Sequence, residues 1–593
     1  MNSTTPPQAY CIRTLAVYCA LIAFVAIVVY GNHLHNPFQF DSVYYITTKK
    51  GLDQPEKILT LTHWKEEYFS RSLFQVSLAM NAWLGDRAPF GYHLANLLLH
   101  SLNTILVLFI SLQALQYFHI SRLGIRESES RMIALFTALL FLCHPIQTES
   151  VLYIMSRGGI LAATFFLSAF LIWQKFLNQP LQTRTHSGRW ASLSAILVLF
   201  VIGFSAKQNV ATLPAVLGLY YLAGCPPGST PLRFLNRWKW VIMLVLGLAF
   251  FFLMRKLLSD ESFLIGPTDP GELLSRKIYM LSQPVVVVFY YFKLFLLPVN
   301  LNVDPDIQLV KTFLDARFIG AILVMLAIGI ASIRIKTSRL FLFCCGWFFI
   351  VISPSSSIVT LQDLAAEHRV YLASIGVFLF FAIALVQATR RLGGIGAPWR
   401  LGKTILPLAI FFLLAVMTIH RNYDWRSEQA LWTDAMTKSP QLTRPIINLA
   451  RAASLAGESD RAEAYYRKAL ARRPDVFVTH YNLAELILKR DKQEEAIVLL
   501  EKAKILEPKI PETYGKLGEV YLQRGQYLLA EKNFRKAVEL NPKYATALRN
   551  LGVVNYYHLG RKKDGLLYFA RSLTLDPRQA QADELRKLLH KSQ

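Results

Sequence analysis

Pro511-Glu-Thr-Tyr514-Gly-Lys-Leu517-Gly518-Glu-Val-Tyr521-Leu-Gln-Arg-Gly525-Gln-Tyr-Leu-Leu-Ala530-Glu-Lys-Asn-Phe534-Arg-Lys-Ala537-Val-Glu-Leu-Asn-Pro542 is one copy of a unit that recurs through the last third of the chain. Helix-ending prolines fall at Pro440, Pro474, Pro508, Pro542 and Pro577, at spacings of 34, 34, 34 and 35 residues. The neighbouring units carry Leu483, Ala484, Ala496 and Ala503, and Leu449, Ala450, Ala462, Tyr466 and Ala469. Small residues at fixed positions let two helices approach closely, and the large ones fill the gap to the next pair.

This is the tetratricopeptide period, and it predicts a curved α-solenoid of about four repeats. The last full unit has one extra residue near His558–Arg561 and Gly565 where alanine is usual. Asp583–His590 is expected as the capping helix. Such surfaces hold peptides or partner proteins. From Arg421 onward there are 31 basic and 21 acidic residues, the balance of an ordinary soluble domain. Those charges are spread over solvated helix faces, so no nucleic-acid partner is expected.

Upstream the composition changes. The whole chain of 593 residues is 53% apolar and only 17% charged, which excludes a single water-soluble domain and a disordered chain. Residues 1–420 hold long apolar runs near 14–31, 94–115, 131–144, 157–175, 190–206, 208–224, 239–257, 278–298, 317–333, 339–354, 370–389 and 404–420. Basic clusters at 122–131, 175–189, 233–239, 334–339 and 390–403 mark the cytoplasmic loops. They put the N-terminus inside and everything after residue 421 outside, which requires an odd number of spans. Eleven are expected, with 278–298 interfacial or re-entrant because both its flanks belong outside and it contains Gln283, Pro284 and Lys293. The fold class is therefore all-α: a polytopic membrane bundle over 1–420, then a tetratricopeptide solenoid over 421–593. None of the six cysteines falls after residue 345, so the soluble half uses no disulfides.

Ionisable residues at a membrane edge are costly and mark functional sites. Asp41 follows the first span, and the same outer loop carries Glu66, Glu67, Arg71 and Asp86. The outer turn His144-Pro-Ile-Gln-Thr-Glu149 leads to Arg157. Lys207 occupies the turn of the 190–224 hairpin, and a fourth outer loop carries Asp363, Glu367, His368, Arg369 and Tyr371. Cations at headgroup level suit a phosphate, with arginine able to bind its oxygens bidentately. A carboxylate beside them suits a general base for an acceptor hydroxyl. Taken singly, each residue also fits snorkelling or a structural ion pair; their convergence at four outer turns favours a site. No metal motif is present, although carboxylates alone leave a divalent ion open.

The strings Phe90-Gly-Tyr-His-Leu-Ala-Asn-Leu-Leu-Leu-His100, His144-Pro-Ile-Gln-Thr-Glu-Ser-Val151, Ser205-Ala-Lys-Gln-Asn-Val-Ala-Thr-Leu-Pro214 and Arg421-Asn-Tyr-Asp-Trp-Arg-Ser-Glu428 carry a further signal. In that order they resemble the transmembrane-and-TPR-containing protein O-mannosyltransferase family, including its bacterial relatives. Glu367-His-Arg-Val-Tyr371 is similar to that family's Glu-Arg-x-Tyr-Leu-Pro-Ser loop. The resemblance implies a C-type glycosyltransferase fold that moves a sugar, mannose or a similar hexose, from a polyprenyl-phosphate donor to Ser or Thr hydroxyls of a protein on the outer face. Asp41 matches the first acid of the family's acidic pair, with Ser42 at the second position. Gln147 replaces the second histidine of His-Pro-x-His. Those departures speak against a two-carboxylate or metal-assisted scheme and leave the base role with Asp41.

The resulting expectation makes Asp41 the catalytic base, with Glu149 and Glu367 as acidic support. Arg71, Arg157, Lys207 and Arg369 bind the donor phosphate, and His144, His368 and Tyr371 complete the outer-face site. Membrane lipid, the lipid-linked sugar and a protein acceptor held by the solenoid are the expected partners. The expected location is a bacterial inner membrane with the solenoid in the periplasm, or else the endoplasmic reticulum membrane with the solenoid in the lumen. Two other classes compete: a membrane-anchored adaptor without chemistry, and a transporter. A transporter places its ionisable groups near the midplane at broken helices, whereas these lie at outer helix ends.

Overall fold

The structure, a computed structural model, describes residues 12–48, 71–118, 125–179, 185–225, 275–334, 338–356, 360–392, 399–579 and 581–591. Among them every regular element is helical. The predicted run 239–257, its basic flank 233–239, and Glu66 and Glu67 lie outside the described residues.

The chain forms two compact units, one ending at Ser439 and the other beginning at Pro440. The boundary expected after residue 420 thus moves downstream, and the contacts of the Glu428–Lys438 helix explain why. Its Trp432 stacks on Phe40 with ring centroids 4.9 Å apart, and its Asp434 accepts from Arg421 Nη1 at 2.6 Å. Lys438 Nζ donates to the Leu301 carbonyl at 2.8 Å, and Ser439 Oγ to the Asp304 carbonyl at 2.7 Å. A soluble-looking sequence is here bonded to the first unit.

That first unit is a multi-pass membrane domain. Among the described residues seven helices are long and apolar enough to cross a bilayer: Arg13–His33, Pro89–Tyr117, Ile154–Asn178, His186–Phe204, Arg276–Leu296, Ala316–Arg334 and Ile405–Asp424. An eighth span is available if Glu127–Cys143 and Pro145–Leu152, bent by 53° at their junction, count together. Arg339–Ser355 and Ser374–Arg390 are shorter apolar helices. The 208–224 run is broken into a 3-10 turn, Gln208–Thr212, and a short helix, Leu213–Gly224, with Pro214 in its first turn.

The 278–298 segment, expected to be interfacial or re-entrant, is one continuous helical run, Arg276–Leu296, with Pro284 inside it and no turn back. Proline lacks the N–H that an α-helix needs. The helix widens into a π-helical stretch, Val286–Phe292, immediately afterwards, a common way of absorbing a local mismatch.

The core is built around Pro89–Tyr117, which packs against Glu127–Cys143 and Arg157–Asn178. Its inward polar residues are bonded across the interface: Asn96 Nδ2 to the Val151 carbonyl at 3.0 Å and Asn103 Nδ2 to the Ile160 carbonyl at 3.1 Å. Large apolar side chains on other faces stay uncovered, Phe412 being 73% exposed. In a bilayer such faces meet lipid. Ser338–Ile352 and Ser374–Leu392 cross where a side chain at Gly376 would collide with the Cys344 carbonyl oxygen.

The second unit contains four helix pairs, from Arg444–Leu455 with Ser459–Arg472 to Ala545–Val553 with Lys562–Leu575, and a last helix, Ala582–Lys591. Within the third pair, a Cβ at Gly518 would lie 2.7 Å from the Phe534 ring. Gly525 turns that pair at φ 70°, and Asp491 takes the equivalent left-handed turn at φ 59°. The extra residue of the fourth unit has a structural expression. Val554–His558 is π-helical, and Leu559 N bonds the Val554 carbonyl five residues back at 3.0 Å.

Candidate functional site

Asp41 opens the Asp41–Thr48 helix, and its carboxylate is exposed. The loop before it is tied down. Asn36 Nδ2 donates to the Trp425 carbonyl at 3.1 Å, the Asn36 carbonyl meets His93 Nε2 at 3.1 Å, and Phe40 N donates to Glu428 Oε1 at 2.8 Å. Gln39 Nε2 adds a bond to the Trp425 carbonyl. One Asp41 oxygen, Oδ2, accepts a hydrogen bond from Tyr153 Oη at 3.0 Å. Burial, then the negative charge of Asp41, push the Tyr153 phenol far up, so it stays a proton-bearing donor at neutral pH.

Tyr153 links Asp41 to a second acidic cluster. Its ring lies 6.5 Å, centroid to centroid, from His368. His368 Nδ1 bonds Glu149 Oε1 at 2.6 Å. The other Glu149 oxygen accepts the backbone N–H groups of Glu367 at 2.8 Å and His368 at 3.3 Å. The buried turn 144–149 and the loop 363–371, far apart in sequence, are clamped together by this one carboxylate. Glu367 points elsewhere. It is fully buried, and its Oε1 accepts Asn302 N at 2.6 Å and Tyr290 Oη at 3.3 Å. Burial raises its carboxyl to about 8; Arg421 opposes that shift and Glu149 adds to it.

Three cations gather nearby. Leu73 N bonds the Ser205 carbonyl at 3.1 Å, which holds the start of the Ser72–Gly85 helix, with Arg71 at its cap, against the 205–207 turn. Lys207 Nζ sits above Gly159, 3.5 Å from where a Cβ would be. Its ammonium is lowered to about 8, first by desolvation and then by the charges of Arg369 and Arg71. Glu149 is the group that opposes the shift. A half-buried ammonium crowded by two guanidiniums is a place where an anion would relieve strain. Arg369 donates through Nη1 to the Leu364 carbonyl at 3.3 Å.

Three expected site residues lie elsewhere. Arg157 is buried and its guanidinium is spent on the protein: Nε on Asn96 Oδ1 at 2.7 Å, Nη1 on Asn81 Oδ1 at 2.5 Å and the Ser77 carbonyl at 3.2 Å, and Nη2 on the Tyr92 carbonyl at 2.8 Å. It fastens helices together and has no fork left for a phosphate. Tyr371 is buried too, its hydroxyl bonded to His100 Nδ1 at 2.9 Å and Asn103 Nδ2 at 3.1 Å. His144 is buried, with Nε2 3.3 Å from the Phe295 carbonyl and Nδ1 accepting Ile146 N at 3.3 Å. A turn that looks solvent-facing in sequence closes over these residues.

Sequence reasoning missed Tyr153. It lies between Glu149 and Arg157, and an aromatic hydroxyl among charged residues at a helix start was the available signal. It also missed Arg421 and Asn302, whose relation to Glu367 depends on chain segments that only the fold brings together. Among the described residues no three His, Cys, Asp or Glu side chains converge as metal ligands.

An apolar cavity of about 210 Å³ opens between Arg276–Leu296 and the helices that follow it. Phe292, Phe295, Phe341, Phe348, Phe380 and Phe381 are among its lining residues.

Residues 447–509 and 516–580 match the tetratricopeptide repeat family model. Over 77% of its length the chain is 25% identical to the protein O-mannosyl-transferase TMTC3 of Mus musculus, of which it covers 51%. It is 24% identical to the protein O-mannosyl-transferase F38B6.6 of Caenorhabditis elegans over 78% of this chain and 63% of that protein. The protein O-mannosyl-transferase TMTC4 of Homo sapiens is 26% identical over 75% of this chain and 65% of its own length. The chain therefore spans between half and two thirds of these curated relatives. Among solved structures, MamA is 20% identical over 26% of this chain and 83% of that chain, with a TM-score of 0.23. YrrB, described as a TPR protein with an unusual peptide-binding site, is 19% identical over 30% of this chain and 91% of that chain, with a TM-score of 0.25.

Proposed function

We propose that this protein is a membrane glycosyltransferase that moves a hexose from a polyprenyl-phosphate donor to Ser or Thr hydroxyls of a protein acceptor. The observation that carries the reading is the juxtaposition of the Asp41–Tyr153 pair with the Glu149–His368 pair, and of Glu149 with the cations Lys207 and Arg369. The similar proteins, named protein O-mannosyl-transferases, support the reaction class.

Each group has a task. Asp41 Oδ2 is held by Tyr153, and the remaining oxygen takes the proton of the acceptor hydroxyl as it attacks the sugar. Arg71, Lys207 and Arg369 neutralise the phosphate as it leaves. Binding that anion restores full charge to Lys207. The phenylalanine-lined cavity takes part of the polyprenyl tail, since an apolar chain gains by leaving headgroup water. The repeats hold the acceptor segment, which supplies the entropic part of the acceleration. We place the protein in a bacterial inner membrane with its solenoid in the periplasm, following the basic loops; the endoplasmic reticulum is the alternative.

The test is transfer of radiolabelled hexose from polyprenyl-phosphate donors to outer-face proteins in membranes holding wild type or Asp41→Asn at matched expression. Label entering protein with wild type alone supports the reading. Equal labelling with both removes Asp41 from the base role, and no labelling with either returns the chain to the adaptor class.

A further inference from the structure

We propose that His368, held by Glu149, is the proton donor to the departing phosphate, acting through Nε2; this rests on the transfer reaction proposed above. Three observations carry it. The first is tautomer control. The ionised Glu149 carboxylate is filled by donors, and an acceptor-only group facing Nδ1 at 2.6 Å requires the proton there. Nε2 is then the nitrogen that exchanges a proton with something else.

The second is direction. The Glu149 side chain is 5% exposed and the His368 side chain 23% exposed, so the pair runs from the interior outward. Among the described residues Nε2 has no hydrogen-bond partner. His144 buries both nitrogens and uses both, on the Phe295 carbonyl and Ile146 N, and the spare nitrogens of His33, His93 and His100 are shut inside the protein. His368 anchors one nitrogen and presents the other.

The third is company. Tyr153 holds Asp41 with its hydroxyl and faces His368 with its ring. Arg369 follows His368 in the chain and acts on Lys207. A base thus stands on one side of Tyr153, and an imidazole beside the phosphate-binding cations on the other. A buried carboxylate behind an imidazole fixes the ring's orientation.

The step balances. The acceptor oxygen forms a bond to the anomeric carbon and loses its proton to Asp41. The bond from that carbon to the phosphate oxygen breaks, and its electron pair stays on the phosphate. His368 Nε2–H gives its proton to that phosphate, and solvent reprotonates the partly exposed imidazole after polyprenyl phosphate leaves. The titratable groups around His368 are Glu149 and Tyr153 from the 149–153 segment, and Asp363, Glu367 and Arg369 from its own loop.

The experiment uses the full chain in proteoliposomes, radiolabelled undecaprenyl-phosphate-mannose and the outer-face protein pool. His368→Asn keeps an N–H toward Glu149 and removes Nε2. His368→Gln places an amide near the Nε2 position that donates without titrating. Wild type is expected to lose rate as pH rises, and His368→Asn to fall on the order of 100-fold in single-turnover rate. Both variants lose the part of the high-pH limb that Lys207→Met retains, while undecaprenyl-phosphate binding and the thermal midpoint stay near wild type. A structural role would lower the midpoint and leave the limb in place. If both variants keep the wild-type rate and limb while Asp41→Asn is inactive, the donor role of His368 is overturned and the transfer reading stands. No transfer by wild type from undecaprenyl-phosphate-mannose or from the other polyprenyl-phosphate hexoses overturns both.

Discussion

Tyr153 Oη donates to Asp41 Oδ2 at 3.0 Å, tying the exposed start of one helix to the buried turn that carries Glu149. The bond occupies one carboxylate oxygen and leaves the other for an acceptor. Tyr153→Phe is therefore expected to lower the turnover of transfer by about tenfold, through loss of orientation, with donor affinity unchanged. Steady-state kinetics with varied donor check this, and a rise in donor KM at constant turnover would assign Tyr153 to binding instead.

Arg157 is a structural residue in this fold. Its four hydrogen bonds to Asn96, Asn81, Ser77 and Tyr92 join three helices without any water-facing donor. Arg157→Lys keeps the charge and loses the planar fork, so the protein is expected to lose about 3 kcal/mol of stability. The donor affinity of whatever fraction folds should match wild type. Thermal unfolding and donor binding on the same preparation separate the two effects.

Lys207 is expected to show the reverse pattern. Its folded value of about 8 lies below that of a free lysine, so at neutral pH the native state holds a proton it binds poorly. The unfolded chain binds more protons than the native one above pH ~8, and this group's contribution to stability therefore rises with pH from there to the unfolded value. Below that window the charge is a cost, and Lys207→Met should unfold at a higher temperature at pH ~7 while binding polyprenyl phosphate more weakly. Equal or lower thermal stability of the variant would contradict this account of the cation cluster.

Glu367 gives the opposite sign. Its carboxyl is raised to about 8, so the folded state binds a proton that the unfolded state releases near pH ~4.3. The stability this supplies is present below the unfolded value and is lost as pH rises through about 8. Glu367→Gln retains an acceptor for Asn302 N and cannot ionise. Its midpoint should match wild type at pH ~5 and exceed it at pH ~9. Parallel pH–stability curves for the two proteins would argue against it.

The second unit was legible almost completely. A fixed proline spacing and small residues at helical intervals specify helix pairs locally, and even the one-residue excess is realised as the π-helical Val554–His558. Local periodicity sufficed because each repeat contacts mainly its sequence neighbours. In the first unit the apolar runs announced helices, seven of which among the described residues are long and apolar enough to cross a bilayer, since length and hydropathy are properties of a segment.

What a segment does not carry is its partner. Sequence placed His144, Arg157 and Tyr371 at outer turns beside Asp41, as residues of an expected phosphate site. Their burial depends on Asn96, Asn103 and Phe295, supplied by other helices, so tertiary structure alone distinguished a scaffold arginine from a free one. The same holds for the pairing of Glu149 with His368, separated by 219 residues, and of Asp41 with Tyr153, separated by 112. The soluble-looking Glu428–Lys438 helix joined the first unit for a related reason: Phe40 and Arg421 bind its Trp432 and Asp434. Short-range pattern decided the elements of this protein; long-range contacts decided which of its charged residues are bonded into the scaffold and which remain open to chemistry.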